Sequence, residues 1–237
     1  MRTRFFVAFA VLAAVAFAGT DGAGRRVAEG QATKPAALKL ESLAGLQAIN
    51  VKMESVAYKG RKAVRVVEAP QPEQRDTDAL VLLTGTEFHD GVIEAAISGA
   101  VATGAPEGSR GFVGMAFRVQ SDPRKLECFY LRPTNGRAED QVRRNHSLQY
   151  ISHPEFPWQR LRKEFPEKYE SYVDLIPGEW TKMRIEVRGG AARLYIHDNK
   201  QPNMIVNDLK HGDTSGAVAL WIGQGTEAHF AGVKITP

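Results

Sequence analysis

Apolar and polar residues alternate with a period of two over many short runs of this chain, and few segments carry a helical period. Side chains alternate faces along an extended strand, so each such run has one face for a core and one for something else. Strand signals recur from Leu38 onward: residues 49–56, 63–67, 80–83, 91–97, 113–119, 129–131, 181–187, 192–197, 218–222 and 229–235. Glycine and proline punctuate them at Lys59-Gly60, Pro177-Gly178 and Gly189-Gly190. Gly189-Gly190, lying between Met183/Ile185/Val187 and Leu194/Ile196, predicts a hairpin, because paired glycines reach the positive φ of tight turns. No internal repeat supports a propeller or solenoid. Many antiparallel strands with one apolar face each predict an all-β, two-sheet antiparallel jelly-roll sandwich.

Residues 111–136, GFVGMAFRVQSDPRKLECFYLRPTNG, are the most informative stretch. Alternation puts Val113, Met115, Phe117 and Val119 on one face with Ala116 and Arg118 opposite. In the next run Phe129 and Leu131 share the apolar face, while Tyr130, Arg132 and, past the strand end, Asn135 take the other. If the two runs pair as a hairpin, Arg118, Tyr130 and Arg132 line one patch. Forked guanidinium donors beside a ring suit a hydroxyl-rich or anionic small ligand. An ordinary solvated sheet face is the simpler alternative. As an exposed arginine off the core, Arg132 is expected to contribute little to stability.

Residues 137–174 break the strand pattern with Arg143-Arg144-Asn145-His146, Gln149-Tyr150, His153-Pro154-Glu155-Phe156-Pro157-Trp158 and a charged run over 160–170. A long irregular insertion in a compact domain is usually functional or disordered. Its six aromatics, Tyr150, Phe156, Trp158, Phe165, Tyr169 and Tyr172, favour order, since leaving them in water is costly. The expectation is a folded excursion capping one rim of the sheet, with Gln149 among the ligand contacts, or else a packed structural insertion. A short helix over 158–165 fits between Pro157 and Pro166.

Composition sets the compartment. Arg2 and Arg4 precede an apolar run of about 13 residues, short of the ~20 that span a membrane, and Ala16-Phe17-Ala18 has the small-x-small form of a cleavage site. Residues 1–18 therefore read as a secretory signal, 19–37 as a flexible linker and 38–237 as the sandwich domain, exported to the periplasm or medium with no membrane span after cleavage. Loss of two arginines takes the net charge from +4 to +2, which leaves little case for a nucleic-acid partner. A lone cysteine, Cys128, forms no internal disulfide and reads as a packed thiol.

The ordered series FHDGVIE at 88–94, GFVGMAFR at 111–118, FYLRPTN at 129–135, PGEWTKMRIEV at 177–187 and GAVALWIG at 216–223 resembles secreted bacterial proteins of the concanavalin A-like lectin/glucanase superfamily, and within it laminin-G-like domains and the DUF1080 group of 3-keto-disaccharide hydrolases. The likeness covers about residues 49–237. It implies a concanavalin A-like jelly roll whose sheet face or rim holds carbohydrate in many members, without fixing the chemistry.

Retaining glucanases of that superfamily carry an E-x-D-x-x-E strand, placing two carboxylates ~5 Å apart. Here Asp90 and Glu94 stand instead, about 13 Å apart along a strand at ~3.3 Å per residue, so the dyad is missing. Glu94, if its strand neighbours that of Arg118, is a candidate single base, and His146 is a second; a solvated or arginine-paired role for Glu94 is the plainer reading. The six histidines show no HxH, HxxH or HExxH spacing, so no transition-metal site is expected. No cofactor is expected either. Superfamily members that bind calcium use scattered loop oxygens, so the resemblance leaves calcium open at Asp198-Asn199 and Asn207-Asp208, which read more simply as turns. In 218–222 the apolar phase is Val218, Leu220 and Ile222, leaving Trp221 on the opposite face as a stacking platform.

These readings converge on a carbohydrate-binding module using Arg118, Tyr130, Arg132, Asn135, Gln149 and Trp221. The alternatives are an enzyme acting on 3-keto-glycosides through Glu94 or His146, and a laminin-G-like module that holds a protein. Oligomeric state is open. The export reading expects the mature protein to begin at Gly19; mass spectrometry of exported material would contradict it by finding residues 1–18 intact.

Overall fold

The computed structural model describes residues 36–38, 40, 42–70 and 78–237. The signal segment 1–18 and most of the 19–37 linker lie outside the described residues. The exceptions are Ala36 and Ala37, which belong to a strand rather than a tether. In chain order the strands are β1 (Ala36–Leu38), β2 (Leu46–Ile49), β3 (Val51–Tyr58), β4 (Arg61–Glu68), β5 (Ala79–Phe88), β6 (Gly91–Val101), β7 (Val113–Val119), β8 (Leu126–Leu131), β9 (Leu148–His153), β10 (Glu170–Ser171), β11 (Thr181–Arg188), β12 (Ala191–Ile196), β13 (Met204–Val206), β14 (Gly216–Ile222) and β15 (Thr226–Thr236). Two short helices, α1 (Gln141–Asn145) and α2 (Trp158–Glu164), lie in the excursion.

The strands form two antiparallel sheets. One runs β13-β12-β11-β6-β15-β4-β3, with β1 paired to β15, and the other runs β10-β9-β8-β7-β14-β5-β2. The predicted jelly-roll sandwich is the observed architecture. Its core is the apolar phase read from the sequence: Ile93, Met183, Ile185 and Phe230 from the first sheet meet Met115, Phe117, Phe129 and Leu220 from the second, all buried. The Gly189-Gly190 hairpin joins β11 to β12 as expected, with Gly189 at φ +52°.

Three features differ from the sequence reading. The excursion is not a cap laid over a finished sheet; it contributes β9 and β10, which pair onto β8 and extend the second sheet. Its α2 sits where a short helix was expected, with Leu161 buried. Secondly, β6 and β7 follow one another in sequence but belong to different sheets, so Glu94 and Arg118 do not share a face.

Thirdly, Arg118 leaves the strand alternation. It adopts φ +51° where β14 slips register against β7 between Ala217 and Ala219, the signature of a bulge that re-aims a side chain. The guanidinium is fully buried and donates from Nε and Nη2 to the His89 carbonyl (3.1 and 2.8 Å), from Nη1 to the Gly212 carbonyl (2.7 Å) and from Nη2 to the Gly189 carbonyl (2.9 Å). It thus ties three loops together at one end of the sandwich and is a scaffold residue, not part of a ligand face.

Arg118→Met should remove these bonds and orphan three carbonyls, costing about 3 to 5 kcal/mol by analogy with broken buried charge networks. At roughly 2 to 4 °C per kcal/mol for a domain of this size, calorimetry should show a fall of about 6 to 20 °C. A shift under about 2 °C would contradict the assignment.

Candidate functional site

On the outer face of the second sheet, antiparallel register places Glu170, Gln149, Tyr130, Gly114 and Trp221 in one row across five strands. A side chain at Gly114 would sit 2.2 Å from the Phe129 carbonyl oxygen and 2.6 Å from Tyr130 Cβ, and one at Gly223 would sit 2.7 Å from Phe112 Cβ. These glycines make room for a run of rings: Phe112 against Tyr130 at 5.3 Å and Tyr130 against Trp221 at 4.8 Å between centroids. Trp221 is on the face its phase predicted. It is only 6% exposed, however, and its indole donates to Asp78 Oδ1 at 2.9 Å, so it supports the stack from below rather than offering a platform.

Arg132 follows β8, anchored by its N–H to the Ser147 carbonyl at 2.8 Å. The residue is 3% exposed, which corrects the expectation of an exposed arginine. Nη1 donates to Glu170 Oε1 (3.0 Å) and the His146 carbonyl (3.3 Å), and Nη2 donates to the Tyr130 hydroxyl (2.9 Å) and Gln149 Oε1 (2.8 Å). Tyr130 and Gln149, predicted as ligand contacts, are therefore spent on holding Arg132. Burial pushes the Tyr130 phenol up to about 12, so it remains a neutral donor and acceptor. The guanidinium lies 5.2 Å from the Phe112 ring and 5.5 Å from the Trp158 ring, and its buried Nε has no partner among the described residues.

The excursion finishes the site. After a turn over Pro133–Asn135, buried Asn135 donates to the His146 carbonyl (3.0 Å) and accepts from Arg143 Nε (2.9 Å). Asp140 caps α1 by accepting from the Arg143 N–H at 2.6 Å. Trp158 and Arg162 lie four residues apart on one face of α2, and Arg162 stacks 4.6 Å from the Trp158 ring while its Nε donates to Glu170 Oε2 at 2.9 Å. Burial alone would raise the Glu170 carboxyl; the bond from Arg162 and the charges of Arg132 and Arg162 outweigh it and hold the group below its usual range.

These groups line an open cavity of about 630 Å³ together with Gly108: its walls are Arg110, Phe112, Arg132, Asn135, Asp140, Val142, Arg143, His146, Trp158 and Arg162. Of the predicted site residues, Arg132, Asn135 and His146 are brought together here. Burial lowers the His146 imidazole, Glu170 pulls it back up, and Arg162 and Arg132 push it down again, for a net decrease that leaves it neutral at pH 7. Its Nε2 is 3.6 Å from Glu170 Oε2. Arg110, Phe112, Trp158 and Arg162 were not chosen from the sequence. The signal was present in the ring-rich excursion and in the Arg110-Gly111-Phe112 entry to β7, but no local pattern says that these segments meet.

Glu94 lies on the outer face of the other sheet, 3.7 Å from Lys234, and lines a second cavity of about 430 Å³ with Arg61, Trp180, Lys182, His197 and Asp198. It cannot act on a group held by Arg132. Of the residues considered for calcium, Asp198 pairs with Lys182 at 2.9 Å, and Asp208 accepts from Tyr169, Lys168 and Lys210, all through Oδ2. His89, Asp90 and Asp213 bring three ligand-type atoms within 4.8 Å of one another, and Arg118 Nη2 lies 3.3 Å from Asp90 and 3.5 Å from Asp213, supplying a positive charge to both carboxylates. Among the described residues no helix is long and apolar enough to cross a membrane.

No family model matches the chain, and no curated protein matches it. Solved structures do. A putative glycosyl hydrolase from Parabacteroides distasonis aligns with a TM-score of 0.55 at 12% identity over 86% of this chain and 98% of that one. A Bacillus licheniformis β-glucanase aligns at 0.53 and 12% over 87% and 100%, and the carbohydrate binding module CBM66 from Bacillus subtilis at 0.52 and 14% over 81% and 95%. At such identities the likeness shows the fold alone, a two-sheet antiparallel jelly-roll sandwich.

Proposed function

We propose that this protein is an exported carbohydrate-binding module and that a sugar residue occupies the Arg132 cavity. The observation that carries the reading is a buried, fixed guanidinium, 5.2 Å from the Phe112 ring and 5.5 Å from the Trp158 ring, that lines one cavity with both rings and three further arginines. Sugars present apolar C–H faces to rings and hydroxyls to forked donors, and this wall offers both at fixed positions. The volume falls within the usual range of about 300 to 1,000 Å³ for small-ligand sites. The fold is shared with a carbohydrate binding module, which adds support without deciding the ligand. A laminin-G-like protein-docking role has less behind it: the large exposed apolar side chains among the described residues, Val101, Val142, Tyr172, Ile176 and Ile205, come from four separate segments of the chain.

One observation favours an enzymatic second reading. His146, neutral and beside Glu170, sits in a cavity walled by guanidinium groups, which is the arrangement needed to take a proton α to a ketone and hold the enolate oxygen. Conversion of a 3-keto-disaccharide by the wild type and not by His146→Gln would establish it; an unchanged substrate would leave binding alone.

Trp158 begins α2, is half-buried and packs against the core, so its truncation should cost some stability without unfolding the domain. Trp158→Ala should weaken binding to whichever glycan an array identifies by at least tenfold, as removal of a central aromatic anchor does, in a variant that still melts cooperatively. Unchanged affinity in a folded variant would contradict placement of the sugar in this cavity.

A further inference from the structure

We infer that the ligand is an acidic glycan, one whose sugar carries a carboxylate or a sulfate half-ester that docks on the arginine wall. This rests on the carbohydrate reading above and narrows it. Four arginines, Arg110, Arg132, Arg143 and Arg162, converge on one cavity, and no lysine lines it. Two carboxylates oppose them, Asp140 on the wall and Glu170 behind it, and with His146 neutral the four positive charges less two negative leave a surplus of +2. Both carboxylates are already committed, Asp140 to capping α1 and Glu170 to Arg132 and Arg162.

Arg110 shows the consequence. Burial lowers its guanidinium, and the charges of Arg143, Arg132 and Arg162 lower it further. Its side-chain bond is a long one, 3.5 Å from Nη1 to Asn135 Oδ1, an oxygen that Arg143 also uses at 2.9 Å. Arg110 is thus held near three like charges with little to hold it there. Arg132 adds a buried Nε without an acceptor. A neutral hydroxyl can accept one of these bonds but leaves the charge surplus in place. A carboxylate or sulfate supplies several oxygens and at least one negative charge to groups whose planar fork matches that geometry. Four forks without a flexible ammonium among them fit an anion bound in a set orientation.

The test is calorimetric titration with matched probe pairs: an oligogalacturonide against its carboxyl-reduced neutral counterpart, and a sulfated galactan oligosaccharide against its desulfated form. At least one anionic member should bind ten- to hundredfold more tightly than its neutral partner, the gain expected of charge-assisted hydrogen bonds, and the pair that shows it identifies carboxylate or sulfate as the recognised group. Arg110→Gln should cut the anionic preference about tenfold or more while the melting temperature of the free protein stays level or rises, because a repelled charge has been removed. A structural role for Arg110 would instead lower the melting temperature and leave the preference intact, which overturns the inference. Neutral partners that bind as tightly as the acidic ones would overturn it too, while leaving the carbohydrate reading standing. Failure of all four probes and of a broad neutral and acidic glycan array, with folded protein, would remove both.

Discussion

A guanidinium cannot be taken out of water without acceptors for its donors and a counter-charge for its ion, and the placement of Arg132 imposes that demand on the outer face of the second sheet. The acceptors come from four places: Tyr130 on β8, Gln149 on β9, Glu170 on β10 and the His146 carbonyl after α1. Three of the four belong to the excursion, which explains why a segment with weak local signals is ordered and why it adds strands to the sheet. The aromatic run Phe112, Tyr130 and Trp221 supplies the dry surroundings that make those bonds strong, and Gly114 and Gly223 leave the space for it. The cavity is then a by-product of these requirements: the wall exists because Arg132 is fixed, and its unpartnered Nε marks where the internal supply of acceptors stops.

The two buried arginines of the central strands illustrate how one residue type serves opposite ends. Arg118 meets the carbonyls of His89, Gly189 and Gly212 and carries loops from both sheets. Arg132 meets side chains gathered from the excursion and faces a cavity with three more arginines. The first arrangement closes a network of fixed backbone acceptors. The second leaves positive charge in excess, a condition that a folded protein tolerates when a ligand or function accounts for it.

Much of the fold was legible because alternation reports burial directly. The phases of Met115/Phe117, Phe129/Leu131 and Val218/Leu220/Ile222 all lie in the core as read from the sequence, and Tyr130 and Trp221 take the alternate face, where they are themselves buried and join the apolar cluster. What alternation cannot report is the pairing of strands distant in sequence. Glu94 and Arg118 were placed on one face only if their strands were neighbours, and the chain instead crosses between sheets after β6. Arg118 was misread because a register slip against β14 turns one residue out of phase. The outer face was read as open because nothing in strands β7, β8 and β14 shows that the excursion packs beside it. Strand β9 was missed for a related reason: Gln149 and Ser152 interrupt its apolar run, although both are fully buried and Gln149 is satisfied by Arg132 and neighbouring carbonyls.

The central claim is that ligand enters the cavity at the excursion rather than the groove on the opposite sheet, and the chain's three tryptophans separate the two directly. Trp158 lines the arginine cavity, Trp180 lines the second cavity beside Glu94 and Lys182, and Trp221 lies beneath Tyr130 with its indole N–H on Asp78. Proton–nitrogen correlation spectra of the indole groups during titration with a bound glycan should show the Trp158 signal moving through saturation while that of Trp180 stays fixed. A Trp180 signal that moves while Trp158 does not would place the ligand on the other sheet and contradict the account.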